Sequence, residues 1–447
     1  MEKKNFITPD HLKNAVKAVR GEGIYIYDEE GKAYIDGSSG PMTANLGHGN
    51  KEIKESIKEQ MDKISFTYRS QFVTEPLLAL CEGIAKAAGG DLNKVSLCNS
   101  GSEATELALK MVRSYFKAMG KPEKGKIISR WASYHGATIE TLSLSGHSER
   151  RRDYSPYLTG TPQLEIPHCF RCSYEKKYPE CGIFCARYFE KLVKREGPEN
   201  IGAIIIEPVS GAAAASVVPP FEYFKIIREI CDKYNILLIS DEVITGFGRT
   251  GEYFAFQSFS FSPDIVTFGK GISSGFGPLA GIIVKEKLYE EMTEKGVEFG
   301  TGHTYGGNPL SAEAGVSVLQ YMEKHDTVKQ VKEKGEKLFS MVKALEKSLE
   351  VICEVRGKGL LLGVEFAEPG PLSEPFSKEI NFTKRVVDKC MENGLIVYPS
   401  RGFIDGVLGD SVIISPPFII SDEEMEKLVS IFEKSVREAY KDILKLG

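Results

Sequence analysis

The sequence predicts an α/β fold: a large domain with a mostly parallel central sheet flanked by helices, joined to a smaller α+β domain built from both chain ends. Three observations lead there. From about residue 90, short apolar runs alternate with segments of helical periodicity, which signals strands linked by crossover helices. Past residue 310 the texture turns helical and more charged. The length of 447 residues exceeds what one hydrophobic core organises, so two or three domains are expected. The boundaries read as 1–60 for the N-terminal part of the small domain, 61–315 for the large domain and 316–447 for the C-terminal part.

The elements follow in order. Gly23 to Asp36 reads as a hairpin, with Ile24–Tyr27 and Ala33–Ile35 flanking the turn Asp28–Gly31. Strands are predicted at Lys94–Cys98, Lys126–Arg130, Ala203–Ile206, Ile236–Ser240, Asp264–Phe268 and Leu279–Val284. Between the first two, Ala104, Leu107, Ala108, Met111, Val112, Tyr115 and Met119 recur at helical spacing. Val328, Val331, Leu338, Val342, Leu345 and Leu349 form one face of a later helix. A last amphipathic helix runs from about Asp422 to Leu444, its start marked by three acids that suit the helix dipole.

Composition removes some functions. The chain is 42% apolar and 27% charged, with a formal net charge of -5, so no basic surface points to nucleic acid or an anionic membrane as partner. No apolar run is long enough to span a bilayer. The start Met1-Glu2-Lys3-Lys4-Asn5 is polar and lacks a signal-peptide core, which predicts a cytoplasmic location. Nine cysteines, an odd number, do not suggest a disulfide scaffold.

In open α/β sheets ligands bind beyond the carboxyl ends of the strands, so those ends carry the candidate residues. Cys98-Asn99-Ser100-Gly101-Ser102-Glu103 leads into a helix whose free amides favour an anion. Read alone, Ser100 to Glu103 is equally a helix capping box. Asp241 follows an apolar strand directly; alone it could be a solvated acid or a cap. Lys270 stands between Gly269 and Gly271 after another apolar strand. A lysine buried there suits Schiff-base chemistry, whereas an isolated Gly-Lys-Gly is more often a surface turn. Trp131 to Gly136 is an aromatic turn able to stack on a planar ring or simply to pack under a loop. Together an anion cradle, a stacking aromatic, a carboxylate and an amine meet the requirements of pyridoxal 5′-phosphate.

In these motifs the chain resembles the class III (ω-amino-acid type) aminotransferases of PLP fold type I, nearly end to end. The resemblance rests on Asn99–Ala104, Tyr134-His135-Gly136, Ile206-Glu207-Pro208, Asp241–Gly251, Phe268–Ile272 and His303–Pro309, and on the 29-residue step from Asp241 to Lys270. It implies that Lys270 holds the cofactor as a Schiff base and then moves protons. It implies that Asp241 pairs with the pyridine nitrogen, that Tyr134 and Val243 cover the two ring faces, and that Gly101 and Ser102 hold the phosphate. Glu207 is placed near the cofactor beside Asp241. Thr304 is placed on the phosphate of a neighbouring subunit, which implies a homodimer with shared sites. Ser39 and Met42 match the stretch lining the substrate pocket. Arg249 and Glu242 are expected to stabilise the fold.

The sequence also departs from relatives that act on 4-aminobutyrate or acetylornithine. Their Gln-Gly-Glu run is Ser210-Gly211-Ala212 here, and their carboxylate-gripping arginine falls at Ile413. Relatives using pyruvate often place a mobile arginine after Gly-Leu-Ile. Here Val397 and Tyr398 follow Gly394-Leu395-Ile396, and the nearest basic residue is Arg401, equally a substrate anchor or a solvated arginine. The expectation is amino transfer from a terminal amine to a small 2-oxo acid, pyruvate ahead of 2-oxoglutarate, with a PLP-dependent lyase, epimerase or aminomutase as the alternative. Cys169, Cys172, Cys181 and Cys185 have metal-like spacing. Even so, loop or buried thiols without metal are expected there.

Overall fold

The computed structural model describes residues 15–445, together with Asn5 and Ile7. Among the described residues, fifteen strands follow one another. Near the N-terminus are β1 (Ala18–Glu22), β2 (Tyr25–Asp28) and β3 (Ala33–Asp36). The middle holds β4 (Leu92–Cys98), β5 (Lys126–Arg130), β6 (Gln163–Leu164), β7 (Ile201–Ile206), β8 (Leu237–Asp241), β9 (Ile265–Phe268) and β10 (Ala280–Lys285). Later come β11 (Ile352–Gly357), β12 (Leu362–Phe366), β13 (Leu395–Ile396), β14 (Tyr398–Ile404) and β15 (Leu408–Ile414).

The central sheet has the order β4-β10-β9-β8-β7-β5-β6. β5, β7, β8 and β9 pair in parallel, while β10 runs antiparallel to both β9 and β4. β7 and β8 are buried at every position, as a sheet covered by helices on both faces requires. That burial is why the sequence reads there as unbroken apolar runs. It is also why the reversed direction of β10 carried no signal, since a strand buried on both faces looks the same in either sense.

The two chain ends meet. β3 pairs in parallel with β13, Ile35 against Leu395, and β1 and β2 extend that small sheet. A third sheet, β11-β12-β15-β14, is antiparallel throughout. The sequence predicts an α+β small domain but marks none of these four strands individually. Glu354, Arg356 and Glu365 interrupt β11 and β12, yet they pair with one another and with Arg171 and His168 in the interior. The final helix, Asp422–Leu444, is capped as expected: Glu424 N donates to Ser421 Oγ and Ser421 N donates to Glu424 Oε2.

Arg249 ties these parts together. Fully buried, it donates from Nη1 to Leu360 O and Pro416 O, and from Nη2 to Ser39 Oγ and Asn45 Oδ1. Burial lowers its guanidinium to about 9. Glu242 is a further buried acid, seven residues before Arg249. It accepts from Thr245 and from the amides of Ala255 and Phe256, and burial lifts its carboxyl to about 7. No helix among the described residues is long and apolar enough to cross a membrane.

Candidate active site

Five strand ends open onto one cavity of ≈ 170 Å³. The loop after β4 brings Gly101 and Ser102, and that after β5 brings Tyr134, His135 and Gly136. β7 leads into Glu207, β8 ends on Asp241 with Val243 beyond it, and β9 leads into Lys270. The place is the crevice that parallel strands create at their carboxyl ends.

Asp241 is held on both oxygens. Oδ2 lies 2.6 Å from His135 Nδ1, and Oδ1 accepts from Thr267 Oγ1 at 3.0 Å and from the Val243 amide at 3.1 Å. Thr267 faces Asp241 because the two are register partners in the β8–β9 pair. An acid so clamped points in one direction, as a partner for a cationic ring nitrogen must. His135 is itself anchored, its amide donating to Ser145 Oγ at 2.8 Å. Neither His135 nor Thr267 was assigned a role from sequence. The available signals were a histidine inside the aromatic turn and a threonine three residues before Lys270.

Lys270 adopts a left-handed φ of 46°. That conformation costs a side-chain-bearing residue about 1–2 kcal/mol. Gly271 is needed beside it, because a Cβ there would collide with the Asn45 amide that Arg249 holds. Burial depresses the Lys270 amine to about 8, against the attraction of Asp241 and Glu207, with Arg150 and Arg249 adding repulsion. A neutral amine close to physiological pH is a competent nucleophile for a carbonyl.

The helix Gly101–Ala118 starts at the cavity. Ser100 caps it, taking the Glu103 amide on Oγ at 3.3 Å and the Ala104 amide on its carbonyl at 2.9 Å. The amides of Gly101 and Ser102 are the ones left for an anion. The Ser100 cap and the anion cradle are thus the same turn, but the capping box is not completed, because Glu103 Oε2 accepts from Asn99 N and Nδ2 rather than from the Ser100 amide. Space is tight: a Cβ on Gly101 would stand 2.8 Å from Val243 Cγ1, and one on Gly136 would stand 2.7 Å from Ser102 Oγ. Ser102 Oγ in turn accepts from the Ala137 amide at 2.9 Å.

Glu207 works on backbone. Its Oε1 accepts from the Tyr134 amide at 3.1 Å and its Oε2 from Gly211 at 2.9 Å, while its own carbonyl receives Arg130 Nη2 at 2.6 Å. It is buried, and burial lifts its carboxyl above the usual range. Its geometric effect is to fix Tyr134 over the cavity.

Other expected residues fall elsewhere. Ser39 and Met42 are buried with φ of 51° and 58°, and Ser39 Oγ donates to Ser415 O at 2.8 Å. Neither lines the cavity. Thr304 is exposed on the surface of the chain. Arg401 lies outside the cavity, on β14, with Nε 3.2 Å from Glu149 Oε2 and Nη1 3.4 Å from Asn381 Oδ1. Cys169, Cys172, Cys181 and Cys185 line a separate small pocket of ≈ 20 Å³. The three metal-type ligand atoms that converge among the described residues are those of His168, Glu354 and Glu365, where Arg171 and Arg356 already supply the positive charge.

The donor set fits pyridoxal 5′-phosphate: a depressed amine, a carboxylate fixed by three donors, and a helix start with room only for glycine at Gly101. Comparison with known proteins agrees. The family model for aminotransferase class III matches residues 7–436. The uncharacterized aminotransferase YodT of Bacillus subtilis is 40% identical over 442 residues, covering 99% of each chain. The putrescine–pyruvate aminotransferase of Pseudomonas aeruginosa is 33% identical, covering 94% of this chain and 90% of its own. A solved transaminase from the marine bacterium Virgibacillus superposes with a TM-score of 0.92 at 33% identity, over 98% of both chains. This chain therefore belongs to the class III aminotransferases, pyridoxal-phosphate-dependent enzymes of fold type I.

Proposed function

We propose that the enzyme moves a terminal amino group onto a small 2-oxo acid, and that pyruvate is a better acceptor than 2-oxoglutarate. The observation that carries the acceptor preference is the lining of the cavity. Lys270 is its single lysine and His135, held on Asp241, its single histidine, and no arginine lines it among the described residues. Ala212 and Ile413, at the positions where relatives that use 2-oxoglutarate carry the gating acid and the arginine, are buried and apolar and supply no cation, although neither lines the cavity itself. An unpaired carboxylate carried into a site without that cation costs several kcal/mol. The 33% identity to a putrescine–pyruvate aminotransferase supports the same direction.

The residue roles follow from position. Pyridoxal phosphate, when bound, supplies an electron sink that makes the substrate C–H acidic. Asp241 would hold a proton on the ring nitrogen, with His135 and Thr267 keeping its oxygens in place. Gly101 and Ser102 would take the phosphate on their amides. Lys270 Nζ, once released by the incoming amine, would take the proton from the substrate carbon and return it to the carbon on the other side of the linking nitrogen, a 1,3-shift. Tyr134 and Val243 would confine the ring between them.

Part of the phosphate site is proposed to come from a second copy of the chain. Thr304 is exposed beside Tyr305, whose ring packs at 5.6 Å against the exposed Phe66, and Phe72 and Val73 are exposed as well. Such an apolar surface suits a homodimer, with the domain limits 61–315 and 316–447 keeping the cofactor in the larger unit. The test of function is kcat/KM for pyruvate and for 2-oxoglutarate with one accepted amine. Preference for pyruvate is expected, and preference for 2-oxoglutarate would refute the acceptor assignment. Sedimentation at assay concentration should give a dimer or a dimer of dimers; a fully active monomer would refute the shared site.

A further inference from the structure

With no arginine on the cavity wall, a substrate carboxylate must find its cation at the rim. We propose that Arg150 is that cation, the residue that receives the carboxylate of the oxo acid at the mouth of the active site. The inference rests on the amino-transfer reading and deepens it by naming the anchor.

Arg150 lies in the short helical turn Ser148–Arg151. Its guanidinium carbon sits 4.4 Å from the centroid of the Tyr134 ring, and Tyr134 lines the cavity. From the other side, Nη2 donates to the Tyr398 hydroxyl at 3.2 Å. The side chain is therefore positioned by an aromatic face and a hydroxyl, and less rotamer freedom remains to be lost when an anion binds. Its charge also reaches Lys270, where it helps lower the amine.

What singles Arg150 out is the combination of its seat on Tyr134, which lines the cavity, with the lack of an acidic partner. Glu149, the neighbouring acid, is taken by Arg401 at 3.2 Å. Arg151 donates to Gln163 Oε1 at 2.9 Å and lies over Trp131. Arg130 and Arg249 are buried and committed to backbone and amide oxygens. Among the described residues, no carboxylate comes within ion-pair distance of Arg150. A planar guanidinium left free beside the site can meet a carboxylate with two parallel N–H···O bonds.

Two reagents test this on the holoenzyme without a known donor. Aminooxyacetate and O-methylhydroxylamine each displace Lys270 from the cofactor carbon, and the lysine leaves as a free amine with loss of the visible absorbance. Only aminooxyacetate carries a carboxylate. Arg150→Ala should slow capture by sub-saturating aminooxyacetate about tenfold or more, the worth of one charge-assisted pair, and leave O-methylhydroxylamine unchanged. Arg150→Lys should recover part of the difference, and Arg150→Gln provides a second variant if the alanine form is unstable. In turnover, KM for the oxo acid should rise with kcat kept. An unaltered ratio between the two reagents in both Arg150→Ala and Arg150→Gln would overturn the proposal. Failure of the wild-type protein to react with O-methylhydroxylamine would overturn the underlying reading of Lys270, and this inference with it.

Discussion

His135 Nδ1 stands 2.6 Å from Asp241 Oδ2, and the two residues are 106 positions apart in the chain. The imidazole orients the acid, and its far nitrogen, Nε2, is buried without a partner. His135→Phe should therefore keep the fold but loosen Asp241. The expected loss in kcat is about tenfold to a hundredfold, the range for a hydrogen bond to a charged group. His135→Asn, whose amide can still donate to Asp241, should retain more. Equal activity of the Phe variant and the wild type in steady-state assays would remove His135 from the site's machinery.

A second expectation concerns Gly101. Its missing Cβ is what lets the helix start sit over Val243, at a distance of 2.8 Å to Cγ1 if the atom were present. Gly101→Ala should lower Tm modestly, because overpacking against Val243 costs about 1–3 kcal/mol and alanine regains at most about 1 kcal/mol over glycine in a helix. The overpacking of about 1–3 kcal/mol falls on the anion cradle, so the Kd for pyridoxal phosphate should rise about tenfold. Adding Val243→Ala should return part of the affinity. A double variant no better than the single one in fluorescence titration would place the cost elsewhere.

The depressed amine of Lys270 gives a pH prediction with a definite sign. The folded value of about 8 lies below the ordinary lysine value of 10.5. Neutral amine, the form that attacks the cofactor aldehyde, therefore accumulates as pH rises through about 8. Stopped-flow capture of pyridoxal phosphate by apoenzyme should accelerate across that range and then level. The same shift makes the ammonium form a cost to the folded apoenzyme. That cost is fully present below about pH 8 and is relieved as pH rises from about 8 towards 10.5. Lys270→Met apoenzyme should accordingly show its largest gain in Tm over wild type at neutral pH, with the gain shrinking above pH 8. A capture rate still rising with a midpoint near 10 would contradict the depressed amine.

Much of the site was legible because a parallel sheet gathers its chemistry at strand ends, and apolar runs reveal where strands end. Asp241 and Lys270 could be marked in this way before any contact was known. His135 could not, because its meaning lies in a partner on another strand. Arg150 was equally hidden: inside Glu149-Arg150-Arg151-Arg152 it reads as a solvated charge run. Only the geometry shows that Arg401 takes the acid and Tyr134 and Tyr398 take the arginine. The C-terminal sheet was obscured for a related reason. Glu354, Arg356 and Glu365 break the strand pattern, yet their charges are matched internally, so buried strands carry the composition of a surface.

The proposed chemistry stands on Lys270 being the lysine that bonds the cofactor. Reduction of the holoenzyme with sodium borohydride makes that bond permanent, and peptide mass mapping then locates it. The pyridoxyl mass is predicted on the peptide containing Phe268-Gly269-Lys270-Gly271, one per chain, and absent from Lys270→Ala. Labelling at a different lysine, or stoichiometric labelling that persists in Lys270→Ala, would contradict the site as described.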